Sequence, residues 1–76
     1  LADIRHALES GARDYASLER TGVLALRKAG FEPDYVAIRD AHRLVTPDSD
    51  TREMRVFAAA RLGGARLIDN VGVRLQ

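Results

Sequence analysis

Arg55-Val56-Phe57-Ala58-Ala59-Ala60-Arg61-Leu62-Gly63-Gly64-Ala65-Arg66-Leu67-Ile68-Asp69-Asn70-Val71-Gly72-Val73-Arg74 is two apolar runs separated by a glycine pair. Periodicity alone leaves Arg55 to Leu62 open between helix and strand, and its alanines favour helix. The run is short, however, and meets Gly63-Gly64, which between apolar runs is a hairpin signal. We therefore read Arg55–Leu62 and Arg66–Arg74 as antiparallel strands. The first carries apolar residues on both faces, which suits a central strand.

The segments upstream complete the pattern. Asp34 to Asp40 alternates with period 2, Val36 and Ile38 on one face and Tyr35, Ala37 and Arg39 on the other. Glu32-Pro33 ends any helical propagation before it. Ala41 to Glu53, with Pro47-Asp48-Ser49-Asp50 at its centre, reads as a flexible, solvated polar loop. Leu1, Ile4 and Leu8 form one apolar stripe of a short helix that breaks at Ser10-Gly11. Tyr15, Leu18, Gly22, Ala25, Leu26 and Ala29 keep helical spacing in a longer one, with Asp14 as its N-cap and Lys28 in the last turn. Gly22 lies on that stripe and predicts close approach of another element. Gly30 predicts a left-handed stop with Phe31 folding back. Helix, helix, strand, strand, strand is an α+β order. The expected architecture is two N-terminal helices on one face of a small three-stranded antiparallel sheet.

Seventy-six residues suffice for one domain with one modest core, and not for a deep cleft. The absence of cysteine excludes disulfide frameworks, thiolate metal sites and a Cys nucleophile. No apolar run approaches the length of a membrane span, and no signal peptide is visible, so a cytoplasmic location is expected. Twelve basic residues, eleven of them Arg, are interspersed with eleven acidic ones for a net charge of +1. That balance argues against a nucleic-acid binder.

No local motif carries chemistry. His6 and His42 have no metal-ligand spacing, and Ser10, Ser17 and Ser49 lack a nucleophile elbow. Gly63-Gly64 lacks the Lys-Ser/Thr and the following helix of a phosphate loop. Asp48 and Asp50 lack the Gly and terminal Glu of a calcium loop. No catalytic and no metal-ligating residue is assigned. The final hairpin is more informative. Arg61, Arg66, Asp69 and Asn70 lie among residues built for burial, where polar groups require partners or a ligand. Arg61 or Arg66 paired with Asp69 across the strands would supply a sheet-locking cluster.

Two blocks carry a resemblance. Phe31-Glu32-Pro33-Asp34-Tyr35-Val36-Ala37-Ile38-Arg39-Asp40-Ala41, then Ala59-Ala60-Arg61-Leu62-Gly63-Gly64-Ala65-Arg66-Leu67-Ile68-Asp69-Asn70, resemble the C-terminal domain of the pantoate–β-alanine ligase (pantothenate synthetase) family. The resemblance implies residues 1–76 as a single lid domain of a larger ATP- and Mg²⁺-dependent ligase. In that family pantoate is activated as an enzyme-bound adenylate, and β-alanine displaces AMP to give pantothenate. The catalytic N-terminal Rossmann-type domain, with its His-x-Gly-His motif, has no counterpart in these residues. The resemblance further implies that this piece is inactive alone and holds no cofactor. It also implies a homodimeric full-length enzyme, a monomeric fragment, and its own N-terminal domain as partner. Arg39, Asp40, Arg61, Arg66, Asp69 and Asn70 match the motif and are the substrate or domain-interface candidates. The competing expectation is a free-standing α+β interaction or nucleic-acid module.

Overall fold

The computed structural model describes residues 1–75. Helix α1 spans Ala2–Glu9 and α2 spans Tyr15–Lys28; strands β1, β2 and β3 span Glu32–Asp40, Glu53–Leu62 and Ala65–Arg74. The sheet is antiparallel in the order β1-β2-β3, so β2 is central as its two-sided apolar pattern predicts. The α+β expectation holds.

Both helices end where the sequence stops them. Asp14 accepts the Ser17 N–H at 3.1 Å, capping α2. At the other end Gly30 takes φ +94°, the Phe31 N–H reaches Leu26 O and the Gly30 N–H reaches Arg27 O. Those two bonds satisfy terminal carbonyls and fold Phe31 back. In the hairpin Gly63 alone has positive φ (+60°), the requirement of a turn with Gly first. Leu62 then faces Ala65 and Arg61 faces Arg66.

The core is one layer between the helices and one sheet face. Ile4 and Leu8 of α1 meet Val36 and Ile38 of β1, Met54, Val56 and Ala58 of β2, and Val73 of β3. Leu8, Ile38, Met54 and Val56 are the largest fully buried side chains. Helix α2 is half-buried along β1. Gly22 permits the approach, since a Cβ there would stand 2.9 Å from Ile4 Cδ1 and 3.1 Å from Val36 Cγ1.

Two differences from the sequence reading have physical causes. Strand β1 starts at Glu32 and runs through Pro33, which is tolerated because β1 is an edge strand; the register shifts between Pro33 and Tyr35. The 41–52 connection is tied to Asp40 instead of being only a solvated loop. Asp40 N–H donates to Val45 O, Leu44 N–H donates to Asp40 O with Leu44 at φ +58°, and Ala41 N–H donates to Glu53 O.

Candidate functional site

The six candidate residues separate onto two faces of the sheet. Side chains at Val36, Ile38, Met54, Val56, Ala58 and Val73 face the helices. Strand alternation therefore sends Arg39, Arg55, Phe57, Arg61, Arg66, Ile68 and Asn70 to the uncovered face, and Asp40 and Asp69 to the covered one.

The uncovered face gathers arginine. Arg39 lies opposite Arg55, and Arg61 opposite Arg66. Like charges directly across strands repel, so each pair needs a counter-group. Asp34, at the register shift of β1, supplies one for the second pair: Arg66 Nε donates to its Oδ2 at 3.0 Å, and Arg61 Nε stands 3.7 Å from its Oδ1. Arg39 Nη1 is held 3.1 Å from Glu19 Oε2, a carboxylate of α2 that also accepts the Ile38 N–H at 2.7 Å. Glu19 thus fills part of the open edge of β1 as well as neutralising Arg39. Among the described residues Arg55 has only a neutral partner, donating from Nη1 to Asn70 Oδ1 at 2.6 Å. Its guanidinium lies over Gly72, where a Cβ would come within 3.2 Å of Nη2. Between these charges Tyr35 is 41% and Ile68 65% exposed.

The expected ion pair of Arg61 or Arg66 with Asp69 does not form. Arg66 and Asp69 are three residues apart in one strand and project to opposite faces, and Asp69 pairs in register with Ala58. The Asp69 carboxylate accepts the Asn70 N–H at 2.8 Å and lines a groove on the covered face.

Asp40 is the buried anchor of the 41–52 connection. Its Oδ1 accepts the His42 and Arg43 N–H groups at 2.9 and 3.0 Å, and its Oδ2 accepts Thr51 Oγ1 at 2.9 Å and Arg43 Nη2 at 3.3 Å. The Arg43 and His42 N–H groups, helped by Thr51, hold its carboxyl far below the usual carboxylate range. Arg43 bridges on to Asp48 at 2.8 Å, which lowers the Asp48 carboxyl and raises the guanidinium. Glu53 is lowered chiefly by Arg74 at 2.6 Å; His42 Nε2 stands 3.1 Å from its other oxygen. These contacts shape a loop and a strand end. No three His, Asp or Glu side chains among the described residues are placed to hold a metal ion. No helix among them is long and apolar enough to cross a membrane.

Sequence reasoning missed Asp34, Glu19 and Arg55. Counting outward from the two-residue turn gives the Arg61–Arg66 juxtaposition directly, and alternation excludes the Arg66–Asp69 pair. Nothing local brings Asp34 or Glu19 to arginines more than fifteen residues away.

Comparison with known proteins accounts for both motif blocks. The family described as Pantoate-beta-alanine ligase matches residues 1–72. The pantothenate synthetase of Ectopseudomonas mendocina is 49% identical over 75 residues, covering 99% of this chain and 26% of that protein. That of Azotobacter vinelandii is 47% identical over 73 residues, 96% of this chain and 26% of the relative. That of Halorhodospira halophila is 44% identical over 77 residues, with 100% and 27% covered. The chain thus spans about a quarter of the length of these relatives. With a match across nearly its whole extent, the chain belongs to the pantoate–β-alanine ligase family.

Proposed function

We propose that residues 1–76 are the C-terminal lid domain of a cytoplasmic pantoate–β-alanine ligase, and that the arginine-bearing sheet face is turned toward the catalytic N-terminal domain. The observation that carries this is the uncovered face itself. Two like-charged cross-strand pairs persist there with Arg55 lacking a carboxylate partner among the described residues, beside exposed Tyr35 and Ile68. Arg and aromatic side chains of this kind suit an interface. Arg39, Arg61, Arg66 and Asn70 are the interface candidates. Asp40 and Asp69 lie on the other face, and Asp40 serves to shape the domain.

The reaction we assign to the full-length enzyme has two steps. The pantoate carboxylate attacks the α-phosphorus of ATP, releasing pyrophosphate and forming pantoyl adenylate. The amine of β-alanine then attacks the acyl carbon, AMP leaves, and the amine loses its proton to give pantothenate. Mg²⁺ would neutralise phosphate charge when bound. The described residues form no acidic cluster that fits it. This domain contributes indirectly, by excluding water from an adenylate that otherwise hydrolyses. The full-length enzyme is expected as a homodimer and the isolated domain as a monomer.

The test uses the full-length ligase with Arg55→Gln and Arg66→Gln combined. AMP released per pantothenate formed should rise at least severalfold as water enters, while the melting temperature stays within a few degrees. Unchanged coupling of AMP to pantothenate would overturn the assignment of this face. The isolated 76-residue chain should show no turnover.

A further inference from the structure

At the end of the sheet next to the 41–52 connection, the uncovered face holds more arginine than carboxylate. Arg39 of β1 and Arg55 of β2 stand directly opposite each other, and Gly72 of β3 completes the row. One row further on, Glu53 stands opposite Arg74. Glu53 is engaged by Arg74 at 2.6 Å, with His42 Nε2 3.1 Å from its other oxygen. Glu19, reaching in from α2, is engaged by Arg39 at 3.1 Å and by the Ile38 N–H at 2.7 Å. Of these three arginines, Arg55 is the one without a carboxylate among the described residues.

Arg55 is nevertheless held in place. It is half-buried, and its Nη1 donates to Asn70 Oδ1 at 2.6 Å. Its guanidinium lies against Gly72, where a Cβ would come within 3.2 Å of Nη2 and 3.7 Å of Cζ. Ordering a long side chain costs rotamer entropy, and a neutral amide orients the guanidinium without neutralising it. With Nη1 engaged, the Nε–H and Nη2–H groups, which together form one fork of the guanidinium, have no acceptor among the described residues. Arg55 also lines a shallow hollow of about 320 Å³ with Glu53, Gly72 and Arg74 of the sheet and Arg5 and Glu9 of α1. Arg5 stands 3.6 Å from Glu9, so the three arginines of the hollow meet two carboxylates, both already engaged, and a net positive charge remains on Arg55.

We propose that this hollow binds a phosphate group, with Arg55 as the bidentate donor and Asn70 as the residue that positions it. The choice of anion rests on the reading above, because the reaction assigned there releases pyrophosphate and AMP, and both carry phosphate. The planar fork of a guanidinium matches two oxygens of a phosphate, and its positive charge is permanent. A phosphate dianion also counters more than one arginine. It neutralises Arg55 and offsets the repulsion between Arg55 and Arg39 across the strands, which a single carboxylate does less well. Arg66 offers no such site, because its Nε already donates to Asp34 Oδ2 at 3.0 Å. Of the two arginine pairs on this face, the one containing Arg55 is therefore the anion site.

The test is an NMR titration of the full-length ligase with isotope-labelled arginine, read at the guanidinium Nε–H signals. The Arg55 signal is the one missing from Arg55→Lys. Inorganic phosphate, pyrophosphate, AMP and acetate are titrated separately at constant ionic strength. The Arg55 signal should shift to saturation with the phosphate-bearing ions, at about one-tenth of the concentration that acetate requires. The phosphate-bearing ion that saturates it first identifies the source of the group. The Arg66 signal, on the same face and closed by Asp34, should stay in place, whereas a movement of the whole domain would shift both. Asn70→Ala keeps every arginine and should raise the half-saturating concentration about threefold or more, the loss expected when one orienting hydrogen bond is removed. An Arg55 signal that fails to saturate, responds equally to acetate, or moves together with Arg66 would overturn the proposal. An Asn70→Ala titration identical to the parent's would overturn the positioning role. AMP coupling plays no part in these readouts, so failure of the lid assignment and failure of this site are separately visible.

Discussion

Replacing Gly22 tests how tightly the helices are locked to the sheet. A side chain there acts in two opposing ways. In the middle of a helix, Ala is better than Gly by about 1 kcal/mol. Against that, a Cβ at Gly22 would stand 2.9 Å from Ile4 Cδ1 and 3.1 and 3.3 Å from the two Val36 Cγ atoms. Ile4 Cδ1 is the tip of a flexible chain with the groove beside it, so it can yield. Val36 is β-branched and 7% exposed, with one preferred rotamer, so it yields poorly. Gly22→Ala should therefore come out within about 0.5 kcal/mol of the parent. Gly22→Val adds two methyls at the same contact, where overpacking costs about 1–3 kcal/mol and improved propensity returns less than half of one. The net loss is about 2 kcal/mol, a fall in Tm of roughly 8–16 °C for a domain of this size. Urea titration at constant m and thermal melting by circular dichroism read both variants. Val36→Ala should recover part of the Val loss, a coupling that independent sites would not show. A Gly22→Val protein as stable as the parent would refute the reasoning.

Other perturbations test separate parts of the structure. Leu8→Ala removes a fully buried side chain joining α1 to the sheet and should destabilise by about 3 kcal/mol in urea titration. Asp34→Asn leaves Arg61 and Arg66 facing each other without their carboxylate. The loss should be under about 1 kcal/mol, since the arginines are exposed, and should shrink when the melts are repeated in 1 M salt. Asp40→Asn acts through pH. The native Asp40 carboxyl is held below its unfolded value, so its contribution is complete above the unfolded pKa near 4 and is lost as pH falls through the native one. The variant should be less stable at pH 7 and should lose less on acidification below pH 4, and its His42 and Arg43 amides should exchange faster. Parallel acid limbs for the two proteins would rule out Asp40 as the source.

The sequence by itself determined the elements and their order. The stops at Gly30 and Gly63, the cap at Asp14, the close contact at Gly22 and the central place of β2 all follow from chemistry within a few residues. The two motif blocks carried the family. Face assignment within β3 was also legible, because alternation puts Arg66 and Asp69 on opposite sides; the proposed pair between them neglected it. Tertiary structure decided who neutralises the arginines and what remains uncovered. Asp34 reaches Arg66 across 32 positions, and Glu19 reaches the edge of β1 across 19. Strand register, helix placement and the shift after Pro33 set those meetings together, and none is encoded locally. The groove over Ala58 and Ala60 has the same origin, since two small side chains leave a void only where the layer above them stops short.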